Sequence, residues 1–316
     1  QFDKTRKSFT HLSFENEDQT DLTERPVHTI FEDKKKNELL IGTSGKGIYS
    51  LSTVTKRIAW KQAEEDIPGA RVQKIINKPE SNNIWVATYG DGLYLTDSHG
   101  KVLKHYNSGH LNPDNRIAHD NIRALETDNY GSLWIGTFNG LDFLSSTGSI
   151  SHVNYLEGQK NGLSHGSIRS LFRDNKGSLW IGTYFAGVNV LDFDNQRFDH
   201  YYHIPGSKGS LSYNVVGAFT EDPKGNLIIG TERGGVNIYQ HTLERHQVFK
   251  HQNADKYSLS GNIIKSLFLS SKGEVWAGVF RGGLNLLDTE TGRVERFPKE
   301  MKTKPDLDKA IINVIA

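Results

Sequence analysis

One short word recurs six times along this chain, and no other feature limits the fold as much. It reads Leu39-Leu40-Ile41-Gly42-Thr43, Ile84-Trp85-Val86-Ala87-Thr88, Leu133-Trp134-Ile135-Gly136-Thr137, Leu179-Trp180-Ile181-Gly182-Thr183, Leu227-Ile228-Ile229-Gly230-Thr231 and Val275-Trp276-Ala277-Gly278-Val279. Its small fourth residues are spaced by 45, 49, 46, 48 and 48 residues, and four of the five tryptophans hold the same place in it. Each repeat reads as four short strands. An apolar strand such as Ile168-Arg169-Ser170-Leu171-Phe172 comes first, followed by a turn such as Asp174-Asn175-Lys176-Gly177 or Asp222-Pro223-Lys224-Gly225. Asn, Pro and Gly supply the dihedrals that such turns need. The recurrent word is the second strand, Gly187-Val188-Asn189-Val190-Leu191-Asp192 exemplifies the third, and Arg197-Phe198-Asp199-His200-Tyr201 the fourth. Period-two strands with closely spaced turns indicate a sandwich, barrel or propeller. A repeat of four strands in roughly 40–50 residues selects the β-propeller, with one repeat per blade.

The small residue of the word lets backbones approach where neighbouring blades converge, and Trp with its aliphatic neighbours fills the wider gap. These positions are therefore structural. Blade starts are predicted near residues 27, 72, 122, 168, 215 and 263. At the ends, Lys7-Ser8-Phe9-Thr10-His11-Leu12 resembles an outer strand and Ile311-Ile312-Asn313-Val314-Ile315 an inner one. The expectation is an all-β, incomplete seven-bladed propeller in a single domain, 1–316. It would have six complete four-stranded blades and a partial seventh from residues 1–14 and 311–316, excised from a longer protein; an open six-blade arrangement is the alternative.

Composition narrows the function. Lys plus Arg number 38 against 37 Asp plus Glu, a net charge of +1, without the cationic surplus that binding nucleic acid requires. There is no cysteine, which excludes disulfides, thiolate catalysis and Cys-containing zinc sites. No apolar run approaches the ~20 residues of a membrane-spanning helix, so any tether would lie in absent sequence. The first seven residues, QFDKTRK, are not a leader; export would require one outside this sequence. With eight prolines and no Pro- or Ser/Gly-rich tract, no linker is evident.

The stretch Asp-Asn-Lys-Gly-Ser-Leu-Trp-Ile-Gly-Thr at 174–183, the following strand 187–192, and the paired connections Gly209-Ser210-Leu211-Ser212-Tyr213-Asn214 and Tyr257-Ser258-Leu259-Ser260-Gly261-Asn262 resemble the two-component regulator propeller repeats. The tryptophan–aspartate and kelch patterns are absent. The resemblance covers nearly the whole chain and is strongest over about 116–297; Leu40 and Ala87 depart from it in the first two repeats. Such repeats form extracytoplasmic sensor regions of hybrid two-component systems, common in gut Bacteroidetes. The resemblance implies a periplasmic location, with a second propeller and a β-sandwich in the same polypeptide. A membrane helix, histidine kinase, receiver and DNA-binding domain would lie beyond, with homodimerisation in the full-length protein. It also implies an oligosaccharide ligand released from glycans and no cofactor. None of the signalling parts is in this chain.

In a propeller, the loops between second and third strands share one face with the connections between blades. Here those loops are aromatic and charged, and they give the candidate ligand-binding residues: Lys46, Tyr89, Asp91, Phe138, Asn139, Tyr184, Phe185, Glu232, Arg233, Phe280 and Arg281. Tyr106, His110, His165, Tyr202, His203 and Tyr257 lie on the connections. Aromatic faces stack on the C–H face of a sugar while amides and charges fix hydroxyls. Lys46, Arg233 and Arg281 suit a carboxylate or sulfate, so acidic sugars are among the expected ligands. The competing reading is that the aromatics pack under the next connection.

Other chemistries fit less well. The thirteen histidines show no metal-ligand spacing, and the Asp128-Asn129-Tyr130-Gly131 type of turn lacks the acids of a calcium loop. A lactonase- or lyase-type propeller needs convergent acids or histidines near the inner-strand starts. Those positions read Val27, Val72, Ile122, Ile168, Val215 and Ile263, preceded by Asn121, Ser167, Asn214 and Asn262, which suit hydrogen bonding rather than proton transfer. No catalytic residue is predicted. A protein-interaction or dimerisation propeller remains the alternative to a glycan sensor.

Overall fold

The computed structural model describes residues 2–3, 8–9, 26–55, 57–61, 66–67, 71–159, 161–192, 197–240 and 246–297. Among them are six four-stranded antiparallel sheets, each built from four strands consecutive in sequence. The inner strands are Val27–Asp33, Val72–Asn77, Ile122–Thr127, Ile168–Arg173, Val216–Glu221 and Ile264–Leu269. The six-blade expectation holds. Residues 311–316 lie outside the described residues. At the other end, Phe2–Asp3 and Ser8–Phe9 pair with each other in a two-stranded ladder, and among the described residues no partial seventh blade is shown. The chain divides into two compact units, residues 13–173 and residues 174–315 with 1–12.

Within each unit the blades pack as the recurrent word requires. The second strands Ile84–Thr88, Leu133–Thr137 and Leu227–Thr231 are buried at every position. A Cβ on Gly42 would come within 2.6 Å of Val72 Cγ1, one on Gly136 within 2.7 Å of Ile168 Cγ2, and one on Gly230 within 2.7 Å of Ile264 Cγ2. The missing side chain thus admits the first residue of the next inner strand. Around it Trp85 joins Ile117, Ile122, Leu125, Leu133 and Ile135 in one apolar cluster. Leaving these faces wet would forgo about 25 cal/mol per Å2 of apolar area.

The threonine closing the word shapes the following loop. The buried Oγ1 of Thr43, Thr88, Thr137, Thr183 and Thr231 donates to the carbonyl oxygens of Gly47, Gly92, Gly140, Gly187 and Gly235 at 2.8–3.0 Å. Thr183 Oγ1 also accepts from the Ala186 amide at 2.9 Å. Val279 stands at this position in the sixth blade, so the shape is tolerated without the hydroxyl. Thr183→Val should therefore fold but lose about 1–2 kcal/mol, the cost of two severed hydrogen bonds in a dry site. Chemical denaturation would register this as a lower midpoint at unchanged slope.

Candidate functional site

The loops between second and third strands are fastened to the start of the next blade, as propeller topology demands. Ser44 bridges Arg71, Tyr89 bridges Asn121, and Glu232 bridges Ile263. Loop amides then donate to the incoming connection: Gly90 and Gly92 to the Asp120 carbonyl, and Arg233 and Gly235 to the Asn262 carbonyl. Ser44, Tyr89 and Glu232 are thereby held beside the residues that lead into the neighbouring inner strand.

Those first residues carry a feature that residue order does not display. In five inner strands the ladder slips between the first and third residues: Val27/Thr29, Val72/Lys74, Ile122/Ala124, Val216/Ala218 and Ile264/Ser266. Such a bulge takes one residue out of the pairing and re-aims its side chain. The residues concerned are His28, Gln73, Arg123, Gly217 and Lys265, and Arg169 follows Ile168 at the corresponding place. Reading the strand starts as apolar missed this set. It also set the last two starts one residue early. Val216 pairs with Thr231 and Ile264 with Val279, as Val27 does with Thr43. Asn214 and Asn262 consequently lie one position further out. Their side-chain oxygens accept from the His203 and His251 amides at 2.6 and 2.7 Å, fastening connections rather than offering themselves to a ligand.

In the unit of residues 13–173, Tyr89 and Phe138 meet edge to face, with ring centroids 5.6 Å apart and planes at 80°. The Arg71 guanidinium lies over Tyr89 at 5.9 Å, and that of Arg123 over Phe138 at 3.6 Å. Arg123 also donates from Nη1 to Ser167 Oγ at 3.0 Å, and His119 stacks on Phe138 at 5.6 Å. Tyr89 keeps 42% of its surface exposed. Asp91 serves its own blade, accepting from the Tyr94 hydroxyl, and Asp120 accepts from the Ser108 amide and hydroxyl. Lys46 is half-buried, and Asn139 is exposed with its amide donating to Thr137 Oγ1. Burial, reinforced by the Arg71 charge, holds the His28 imidazole below its ordinary pKa. Deeper along the inner strands, burial lowers the Lys74 pKa against the opposing pull of Glu126, and raises that of Glu126 against the pull of Lys74.

In the unit beginning at residue 174, Tyr184 and Phe185 meet edge to face at 4.6 Å, with Phe185 62% exposed. Lys265 Nζ lies 2.9 Å from Glu232 Oε1, and both side chains are largely covered. Glu232 is thus engaged as a structural counter-ion. Lys265 and Arg281 both lie near the face of Phe280, at 5.7 and 5.3 Å. Arg233 and Arg281 are exposed and have φ of 141° and 51°, where the corresponding loop positions of the first two blades are Gly45 and Gly90. Left-handed backbone at a bulky residue carries strain.

The connection residues divide. Tyr106 is buried against Trp85 at 5.9 Å and belongs to the core. His203 Nδ1 lies 2.6 Å from the Leu211 carbonyl oxygen, a structural contact. Tyr257 lies against Arg293, 4.1 Å from its guanidinium carbon, in a cleft lined also by Asp222 and Lys272 of the turns. His110, His165 and Tyr202 remain partly or fully accessible. Among the described residues no three His, Cys, Asp or Glu side chains are grouped to hold a metal, and no helix is long and apolar enough to cross a membrane.

Six four-stranded sheets in chain order, with Gly42, Gly136 and Gly230 each packing on the next inner strand, define a β-propeller. Residues 116–139 and 162–185 match the family model described as two component regulator propeller. Among solved structures, the extracellular domain assigned to a hybrid two component system of B. thetaiotaomicron aligns over 90% of this chain and 42% of its own, at 22% identity and a TM-score of 0.57. The chain thus spans under half of that domain. Virginiamycin B lyase from Staphylococcus aureus aligns over 87% and 85% at 13% identity, with a TM-score of 0.63. PorZ, a surface component of the type-IX secretion system of Porphyromonas gingivalis, aligns over 85% and 41% at 14% identity, with a TM-score of 0.61. At such identities the likeness carries the fold. No curated protein matches the sequence.

Proposed function

We propose that this chain is a ligand-sensing propeller from the periplasmic region of a hybrid two-component system, and that it binds a glycan-derived oligosaccharide on the face of its second-to-third-strand loops. The observation that carries the reading is the exposed Tyr89 ring, braced edge-on by Phe138 and flanked by Arg71 and Arg123. A rigid aromatic beside fixed donors is what a sugar ring needs: a flat apolar face to stack on and polar groups to orient its hydroxyls. The repeats of the two-component regulator family at 116–139 and 162–185 support the sensor role. Binding would act on the kinase by favouring one arrangement of domains or protomers, and only to the extent that the arrangements differ in affinity.

Calorimetric titration with neutral and acidic oligosaccharides tests the reading. Saturable binding is expected, and Tyr89→Ala should weaken it about 10-fold, the equivalent of roughly 1.4 kcal/mol. Tyr130→Ala, on a strand turn and 85% exposed, should change nothing. Silence across the panel would count against a glycan site on these loops. It would favour the protein-interaction alternative, for which the surface component PorZ is a structural neighbour.

A further inference from the structure

The two units build similar arrangements that differ at the first residue of the loop. In the sixth blade the bulge residue Lys265 lies near the Phe280 ring and is bonded at 2.9 Å to Glu232, the first residue of the preceding blade's loop. In the third blade the bulge residue Arg123 lies over the Phe138 ring, and the first residue of the preceding loop is Tyr89. The equivalence is structural: Glu232 bridges Ile263 and Tyr89 bridges Asn121, each the residue just before an inner strand. Where one site has a built-in carboxylate, the other has an exposed aromatic.

We propose that the row Arg71–Tyr89–Phe138–Arg123 is the seat of an acidic saccharide, its ring stacked on Tyr89 and its carboxylate or sulfate held by Arg71 and Arg123. This rests on the glycan-sensing reading above and narrows it to an anionic ligand, whose oxyanion takes the place that the Glu232 carboxylate holds beside Lys265. Stacking on Phe138 occupies the face of the Arg123 guanidinium, while the N–H groups that recognise an oxyanion lie along its edge. Two carboxylates lie on the neighbouring loop and connection: Asp91 accepts from the Tyr94 hydroxyl, and Asp120 from the Ser108 amide and hydroxyl. Arg71 acts electrostatically on this side of the inner strands, where together with burial it depresses the His28 pKa.

The test is titration of the chain with three probes of matched length: a neutral cello-oligosaccharide, an unsulfated oligogalacturonide and a sulfated galacto-oligosaccharide. At least one acidic probe should bind about 10- to 100-fold tighter than the neutral one, the range of a charged hydrogen bond or two, and its affinity should fall with added salt. Carboxylate and sulfate sources separate according to which acidic probe is preferred. Arg123→Gln should collapse the acidic-to-neutral ratio, whereas Arg123→Lys should retain part of it. Tyr89→Glu, which copies the Glu232 arrangement, should abolish acidic binding at an unchanged melting temperature. Equal affinity for all three probes, or a ratio that survives Arg123→Gln and Arg71→Gln, overturns the anionic seat while leaving the sensor reading standing. No binding of any probe overturns both.

Discussion

Gly235→Ala is expected to destabilise the second unit by roughly 3–5 kcal/mol, although it adds a single methyl group. Gly235 has φ +79°, and a Cβ there would stand 2.0 Å from the carbonyl oxygen of Phe249. That oxygen belongs to the paired outer strand His246–Phe249, so it cannot swing aside as a flexible side chain would. Two costs therefore add. The left-handed backbone is about 1–2 kcal/mol worse with a side chain, and the clash requires two hydrogen-bonded strands to part. Gly177→Ala separates the two. Its φ is +91°, but nothing lies within 4 Å of the added Cβ, so only the backbone cost of about 1 kcal/mol should remain. Thermal melts of both variants decide the matter, with Gly235→Ala falling several-fold further than Gly177→Ala. Equal shifts would mean that the strands yield.

The second large effect concerns a buried acid. Asp142 has no exposed surface. Its Oδ2 accepts from the Ala118 amide at 2.7 Å, and its Oδ1 lies 2.7 Å from His152 Nδ1. Asp142→Ala should cost about 2–3 kcal/mol, because a backbone donor and an imidazole lose their partner in a covered site. Asp142→Asn should behave oppositely. Asn237 and Asn285 hold the same post in later blades, accepting from the Ser212 and Ser260 amides at 2.9 Å, and Asn237 Oδ1 also lies 3.0 Å from His246 Nε2. Burial raises the Asp142 pKa, opposed by the Ala118 amide and by His152. A carboxyl with a higher pKa folded than unfolded favours folding when protonated. The cost of its charge is absent below the unfolded carboxylate range and grows as pH rises through the folded pKa. The amide removes that cost. Asp142→Asn should therefore melt at or above the parent temperature at neutral pH, and the difference should vanish in acid. A lower neutral melting point for Asp142→Asn would mean that the His152 contact outweighs desolvation.

The blade-connecting latch at Asp142 was invisible in a pattern that showed only an alternating third strand, whereas the strand itself was plain. The same holds at the candidate site. The loops carrying Tyr89, Phe138, Phe185, Arg233 and Arg281 were legible because they follow the recurrent word at a fixed distance. Yet Asp91 and Glu232, chosen with them, are engaged with Tyr94 and Lys265. Arg71, Arg123 and Lys265 were passed over because they lie within or beside apolar strands. The available signal was weak: a charged residue directly after the first apolar residue of an inner strand, as in Ile122-Arg123, Ile168-Arg169 and Ile264-Lys265.

By itself the sequence determined the six four-stranded units and the loops that follow each recurrent word, though not the partial seventh blade. These depend on local period, turn chemistry and a small residue at a fixed interval, all written along the chain. Only the tertiary structure decided which charges stand beside which rings. Arg123 leaves the ladder because its strand and the one paired with it fall out of register by one residue. Lys265 finds Glu232 across 33 residues of chain because one blade's loop is fastened to the next blade's first strand. Register and apposition arise between segments distant in sequence, so no local pattern reports them.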